Sequence, residues 1–226
     1  MSFRKSVGNM YPWVTHTWNV IKGKCPHDCS YCYMKRFPQG ELRFDEKELK
    51  RNLGKGRFIF VGSSCDMWAE SIPGEWIAEI LGRCYQYPEN KYLFQSKNPG
   101  RFTKSARDYF SPNMILATTI ESNRIYPHLS NAPEPLDRAK SMRIMRICGH
   151  ACGFDTIVTI EPILDFDIPK MVELLKIVSP TWVNIGADSK GHNLPEPSWD
   201  KVQDLISALK EFTEVKVKSN LNRLKK

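Results

Sequence analysis

Cys25-Pro26-His27-Asp28-Cys29-Ser30-Tyr31-Cys32-Tyr33 sets three thiols on one short loop, spaced C-x3-C-x2-C, with a tyrosine just before the last. Soft thiolates at such spacing wrap one face of an iron–sulfur cluster or hold zinc. A zinc site closed by protein needs four ligands, usually one C-x2-C pair matched by a second C-x2-C or H-x3-H further on. His27 lies inside the loop, too close to Cys25 and Cys29 to complete a tetrahedron comfortably. Three thiolates on a cubane leave one iron without a protein ligand, open to a substrate or cofactor. Free cysteine is common in cores, but the polar neighbours Pro26, His27, Asp28 and Ser30 speak against three thiols packed there.

Upstream of the loop, residues 15–21 form a short β-rich run ending at Gly23. Downstream, residues 44–53 read as a helix, with Asp45 near its start and Gly54 and Gly56 beyond its end. Buried-strand runs follow at 57–62, 91–96, 114–120, 155–160 and 181–185. Helices alternate with them at 73–87, 101–109, 137–151, 168–178 and 198–212, and 215–218 is a candidate final edge strand. Six strands alternating with helices imply right-handed βαβ units and a parallel sheet. The expected fold is α/β, a partial (β/α)6 TIM-like barrel, short of the eight units that close a full one. Residues 1–12 read as an N-terminal arm, 13–213 as the barrel, and 214–226 as a basic C-terminal tail. Ligands of such sheets bind at the C-terminal strand ends. Polar residues collect there: 62–66 after the second strand, Ser96 and Lys97 after the third, Thr118 to Glu121 after the fourth, Glu161 after the fifth, and Gly186 to Asp188 after the sixth.

The cysteine loop resembles the signature of the radical S-adenosylmethionine (SAM) superfamily, C-x3-C-x-aromatic-C, filled here by Cys25, Cys29, Tyr31 and Cys32. That resemblance implies a 4Fe–4S cluster on the three cysteines, with SAM on the open iron. It also implies reductive cleavage of SAM to methionine and a 5′-deoxyadenosyl radical. The whole chain looks like the small phage-associated radical SAM proteins of unassigned function, whose pattern includes the Thr-Trp-Asn found here as Thr17-Trp18-Asn19. Over the core it is also similar to the spore photoproduct lyases, with their Cys-x3-Cys-x-Tyr-Cys-Tyr. This second likeness implies SAM contacts from Lys97 and from Thr118, with Thr119 as a neighbour. It gives Cys65, in Ser-Ser-Cys-Asp, the place of the cysteine that returns a hydrogen atom to the product radical. The usual superfamily Gly-Gly-Glu after the second strand is absent, and Gly62-Ser63-Ser64 stands in its place. Recognition of the methionyl amine would then rest on hydroxyls and backbone carbonyls. A lysine offers the SAM carboxylate a point charge, Tyr31 and Tyr33 can face adenine, and Glu161 can touch substrate or cofactor.

At 226 residues the chain fits one domain with a substantial core. No apolar run approaches a membrane span, and the N-terminus lacks the apolar region of a secretion signal. With seven cysteines, an odd number, this argues for a reducing, cytoplasmic interior, that of a bacterial host if the chain is phage-encoded. A net charge of +8 favours an anionic partner such as nucleic acid, and equally fits a soluble enzyme with a basic surface. Basic residues gather at Arg138, Lys140, Arg143 and Arg146, a group that also fits a solvated helix face, and from Lys216 to Lys226, which reads as an anion-binding arm. The resemblance adds an electron donor such as flavodoxin or ferredoxin, and the chain is expected to act as a monomer. The expected substrate is a base in DNA, an amino-acid-decorated thymidine that is isomerised or cleaved, walled by Trp18, Tyr33 and Trp68. A free small molecule is the alternative substrate. A zinc-holding nucleic-acid-binding module lacks its fourth ligand, and a ferredoxin-like carrier would leave the strand-end polar residues without a purpose. Cys148 and Cys152 flank His150 on a helix rich in Ile and Met and read as core residues rather than a second metal site. Asp188 and His192 sit where polar groups of a substrate can be read.

Overall fold

β-Branched and aromatic runs punctuated by Gly and Pro become the strands of one large sheet. The computed structural model describes residues 3–6, 10–105 and 110–225. In chain order it begins with β1 (Arg4–Lys5), β2 (His16–Trp18), β3 (Ile21–Lys22), β4 (Arg43–Phe44) and α1 (Glu46–Leu49). Then come β5 (Phe58–Val61), α2 (Gly74–Tyr85), β6 (Lys91–Ser96), α3 (Gly100–Ser105), β7 (Met114–Thr119) and α4 (Pro135–Cys152). The chain closes with β8 (Asp155–Ile160), α5 (Ile168–Val178), β9 (Trp182–Ile185), α6 (Trp199–Lys210) and β10 (Glu214–Val217). The expected helix at 101–109 is described as far as residue 105, and its last residues, 106–109, lie outside the described residues.

The main sheet has the order β1-β2-β5-β6-β7-β8-β9-β10. Every neighbouring pair from β2 to β10 is parallel, and β1 alone runs antiparallel, against β2. The six expected parallel strands are therefore present, β10 extends them at one edge, and the sheet does not close. β3 and β4 pair separately, Ile21 with Phe44 and Lys22 with Arg43, so this small ladder ties off the segment that carries the cysteine loop. The helix expected at 44–53 is shorter. Asp45 caps α1 by accepting from the Glu48 N–H at 2.9 Å, and the chain leaves the helix after Leu49 towards the Gly54 turn.

Strand side chains alternate between two faces, and here both faces are covered, as in other parallel sheets. Met114 and Leu116 of β7 join the core beneath the helices, whereas Ile115 and Ala117 join an inner core with Leu93, Ile157 and Trp182. That inner core is completed by the N-terminal segment. Tyr11 and Val14 are buried in it, with Trp13 packed alongside. The Tyr11 hydroxyl meets Thr159 at 2.6 Å and Gln95 at 2.9 Å. Tyr11, from the segment expected to form an arm, thus packs inside the open barrel beside Trp13 and Val14 of the next segment. The basic tail is likewise no free arm as far as residue 225. β10 pairs with β9, Leu221 is buried, and Lys216 lies over the Trp182 ring at 3.9 Å.

The same alternation corrects two expectations about aromatic residues. Trp18 follows the inward-facing Thr17 and turns to the helix side. There it is fully buried, and its indole N–H donates to the Glu48 carbonyl at 3.0 Å. Trp68 is also fully buried, edge-on to Phe94 and Phe102. Neither tryptophan lines the cavity at the C-terminal strand ends. No described helix is long and apolar enough to cross a membrane.

Candidate active site

A cavity of about 570 Å³ opens at the C-terminal ends of the parallel strands, the place this class of sheet reserves for ligands. Cys25, Cys29, Cys32 and Cys65 all line it. So do Tyr31, Tyr33, Gly62, Ser63 and Ser64, and from the later strands Lys97, Thr119 and Glu161. Thr118 does not, which corrects its expected role. Its side chain follows Leu116 to the helix side, and its buried hydroxyl donates to the Ser96 carbonyl at 2.9 Å. The strand-end hydroxyl in the cavity is Thr119, which accepts from the Gln95 amide at 3.1 Å.

The thiols share the cavity without forming a closed ligand set. Among the described residues, no three His, Cys, Asp or Glu side chains are gathered closely enough to hold a metal ion. Cys29 Sγ lies 3.2 Å from the Ser130 hydroxyl. A hydrogen bond from Cys65 holds the Cys25 thiol below its usual range, and the same bond with burial pushes Cys65 up. Burial raises Cys32.

Two strand-end carboxylates to which the sequence assigned no individual role, buried Glu121 and largely covered Asp66, organise these groups. Asp66 follows Cys65, and its Oδ2 gathers His27 Nε2 at 2.9 Å, the Ser96 hydroxyl at 3.0 Å and the Lys97 N–H at 2.8 Å. Its Oδ1 accepts from the Trp68 N–H at 3.0 Å. Burial opposes its ionisation, yet the His27 contact and these backbone donors hold it below the usual carboxylate range. Asp66 so binds the cysteine loop to the ends of β5 and β6. Glu121 does the same one strand further on. Its Oε1 pairs with Lys97 Nζ at 3.0 Å and accepts from the Tyr31 hydroxyl, and its Oε2 takes Arg138 Nη1 at 2.8 Å. Burial penalises the Lys97 ammonium, but Glu121 and Cys29 outweigh it and raise Lys97 above its ordinary value. Arg138, expected on a solvated face, is buried here and also donates to the Thr119 carbonyl.

Asn19 explains the conformation of the Gly-Ser-Ser turn. Its side-chain oxygen accepts from the Ser64 N–H at 2.9 Å and from the Ser63 hydroxyl at 3.2 Å. Gly62 takes φ +77° at the strand end, where a side chain is strained. Across the cavity, Glu161 accepts from Lys218 Nζ at 2.7 Å and from the Asn220 amide at 2.9 Å. Asp188 lines the wall and takes the His192 N–H and ring Nδ1, each at 2.7 Å, so this expected pair meets. Cys148 is half-buried against the core, while Cys152 is exposed rather than packed. The strand-end position was the available signal for both Asp66 and Glu121. Nothing in the sequence marked Tyr11.

No family model matches the chain, and no curated protein matches it in sequence. Solved structures match its shape. A cysteine-to-serine variant of spore photoproduct lyase gives a TM-score of 0.67 at 11% identity, covering 95% of this chain and 79% of that one. A second variant, with AdoMet and dinucleoside spore photoproduct bound, gives 0.66 at 10% identity, over 94% and 78%. Spore photoproduct lyase complexed with dinucleoside spore photoproduct gives the same values. At such identity the likeness speaks for architecture: this chain has the partial-barrel fold of spore photoproduct lyase.

Proposed function

We propose that the protein is a radical SAM enzyme acting on a nucleic-acid base. The observation that carries this reading is that Cys25, Cys29 and Cys32 line one cavity with Lys97 at the C-terminal strand ends. The donor chemistry fits a cluster, because the side chains that meet Cys25 and Cys29 are the Cys65 thiol and the Ser130 hydroxyl, neutral partners that a metal would displace. Cys25, Cys29 and Cys32 would hold a 4Fe–4S cluster, with SAM beside it. When bound, that pair supplies the 5′-deoxyadenosyl radical.

The chain itself binds and orients. Lys97, aimed by Glu121, meets the SAM carboxylate as a largely covered point charge. Ser63, Ser64 and the carbonyls of their turn, fixed by Asn19, meet the ammonium in place of an acidic residue. Tyr31 and Tyr33 face the adenine, and Thr119 and Glu161 line the opposite wall. Cys65, buried beside Cys25, is the candidate donor of a hydrogen atom to the product. An external one-electron donor such as flavodoxin or ferredoxin completes the reading.

The finer substrate is a thymidine derivative in DNA, an amino-acid-decorated base of phage DNA that is isomerised or cleaved. The net charge of +8, the Thr17-Trp18-Asn19 pattern and a fold neighbour complexed with a dinucleoside photoproduct support it. A free small molecule is the alternative. Anaerobically reconstituted protein should carry about four irons and cleave SAM when reduced. The triple replacement of Cys25, Cys29 and Cys32 by Ala should abolish both, and retained reductive cleavage in that variant would overturn the proposal.

A further inference from the structure

With Trp18 and Trp68 buried in the core, the aromatic surface at the cavity mouth has to come from elsewhere. It comes from the short 3₁₀ turn Tyr33–Arg36 that follows the last loop cysteine. Phe37 ends that turn, lines the cavity and is 43% exposed. The Arg36 guanidinium sits 5.7 Å from the centre of that ring and lines the same mouth. Arg4 and Lys5 of β1 reach the mouth from the antiparallel edge, and Lys190 reaches it from the loop after β9. Arg4 stands close enough to Tyr33 to act on its phenol.

Each acid of the same wall has its own partners. Asp66 is enclosed by its four donors, Glu161 is bonded to Lys218 and Asn220, and Asp188 is bonded to His192. The rim therefore presents cations from three separate elements around the exposed rings of Tyr33 and Phe37. Cations that follow a backbone, with an aromatic face between them, are the means by which proteins hold single-stranded nucleic acid. In a duplex both faces of each base are covered by its neighbours, so an exposed ring at a cavity mouth finds a partner only in an unstacked strand.

We propose that this rim is a landing site for unpaired nucleotides, with Phe37 stacking on a base and Arg4, Lys5, Arg36 and Lys190 holding phosphates. The proposal rests on the reading of the substrate as nucleic acid and adds that the strand arrives opened. A labelled deoxythymidine decamer and a blunt duplex of equal length, titrated against the full chain by fluorescence anisotropy at two salt concentrations, test it. The single strand should bind more tightly than the duplex. Phe37→Ala should weaken single-strand binding by about tenfold, within the range for losing one base stack. Arg36→Glu and Lys190→Glu should each flatten the log–log salt dependence by about 0.7, the share of one phosphate on a single strand. Equal or tighter binding of the duplex, or unchanged single-strand binding in all three variants, overturns the proposal. Reductive SAM cleavage by wild-type protein without DNA separates the two ideas. Strand binding without cleavage would sink the cofactor reading and leave the rim standing, and cleavage without strand binding would do the reverse.

Discussion

Glu121 is the residue on which the polar half of the site turns. It lies buried between Lys97 and Arg138 with the Tyr31 hydroxyl on the same carboxylate. Burial alone would raise its pKa, but the two cations and the phenol hold it far below the ordinary glutamate range. A carboxylate depressed on folding contributes stability that is complete at neutral pH and is lost as pH falls below about 4, the range of an unfolded glutamate. Glu121→Gln should therefore cost about 3–5 kcal/mol at pH 7, the usual penalty for stranding a buried partner. Its stability should also depend less on pH in the acid range, as urea unfolding at several pH values would report. A variant as stable as wild type at pH 7 would contradict this account. Lys97→Ala tests the neighbouring group. SAM affinity should drop by roughly 10- to 150-fold, as for one lost charge-assisted contact of about 1.5–3 kcal/mol. Calorimetry showing unchanged affinity would remove Lys97 from the cofactor pocket.

At the level of elements, strand and helix positions could be read from apolar periodicity, because both faces of this sheet are covered and its strands are nearly continuous apolar runs. β6, β8 and α5 fall where the sequence puts them. The face each residue takes was not legible, since a parallel strand buried on both sides carries no polar stripe to orient it. That is why Thr118 looked as suitable as Thr119, and why Trp18 looked like a pocket wall. The place of the three loop cysteines and Lys97 at the cavity was legible because it follows from loop spacing and strand-end position, not from facing. Packing at the end of β9 gives a sharp test. A Cβ on Gly186 would sit 2.8 Å from the Glu161 carboxylate and 3.0 Å from Asn220 Oδ1. Gly186→Ala should displace Glu161 from Lys218 and cost about 1–3 kcal/mol, the usual range for overpacking. A thermal midpoint equal to that of wild type would show that the carboxylate yields freely.

Over the whole molecule, an open sheet has an inner face that neighbouring strands cannot fill, and the N-terminal segment fills it. Tyr11, Val14 and Trp13 cover Leu93, Ile115 and Ile157, with the Tyr11 hydroxyl set between β6 and β8. Composition does not reveal such a plug, because short aromatic segments look alike whether they are packed or solvated. Tyr11→Phe would leave Gln95 and Thr159 short of a partner in a buried place. It should lower stability by about 1–3 kcal/mol in urea unfolding, and no change would mean that water already serves those groups. A longer-range consequence belongs to Asp66, whose donors come from residues 27, 68, 96 and 97. A ribosome releases the cysteine loop early, but the clamp that shapes it needs β5 and β6 already side by side. Until Lys97 has left the exit tunnel the thiols lack this scaffold, and a pause in translation before that point would leave them exposed to any oxidant at hand.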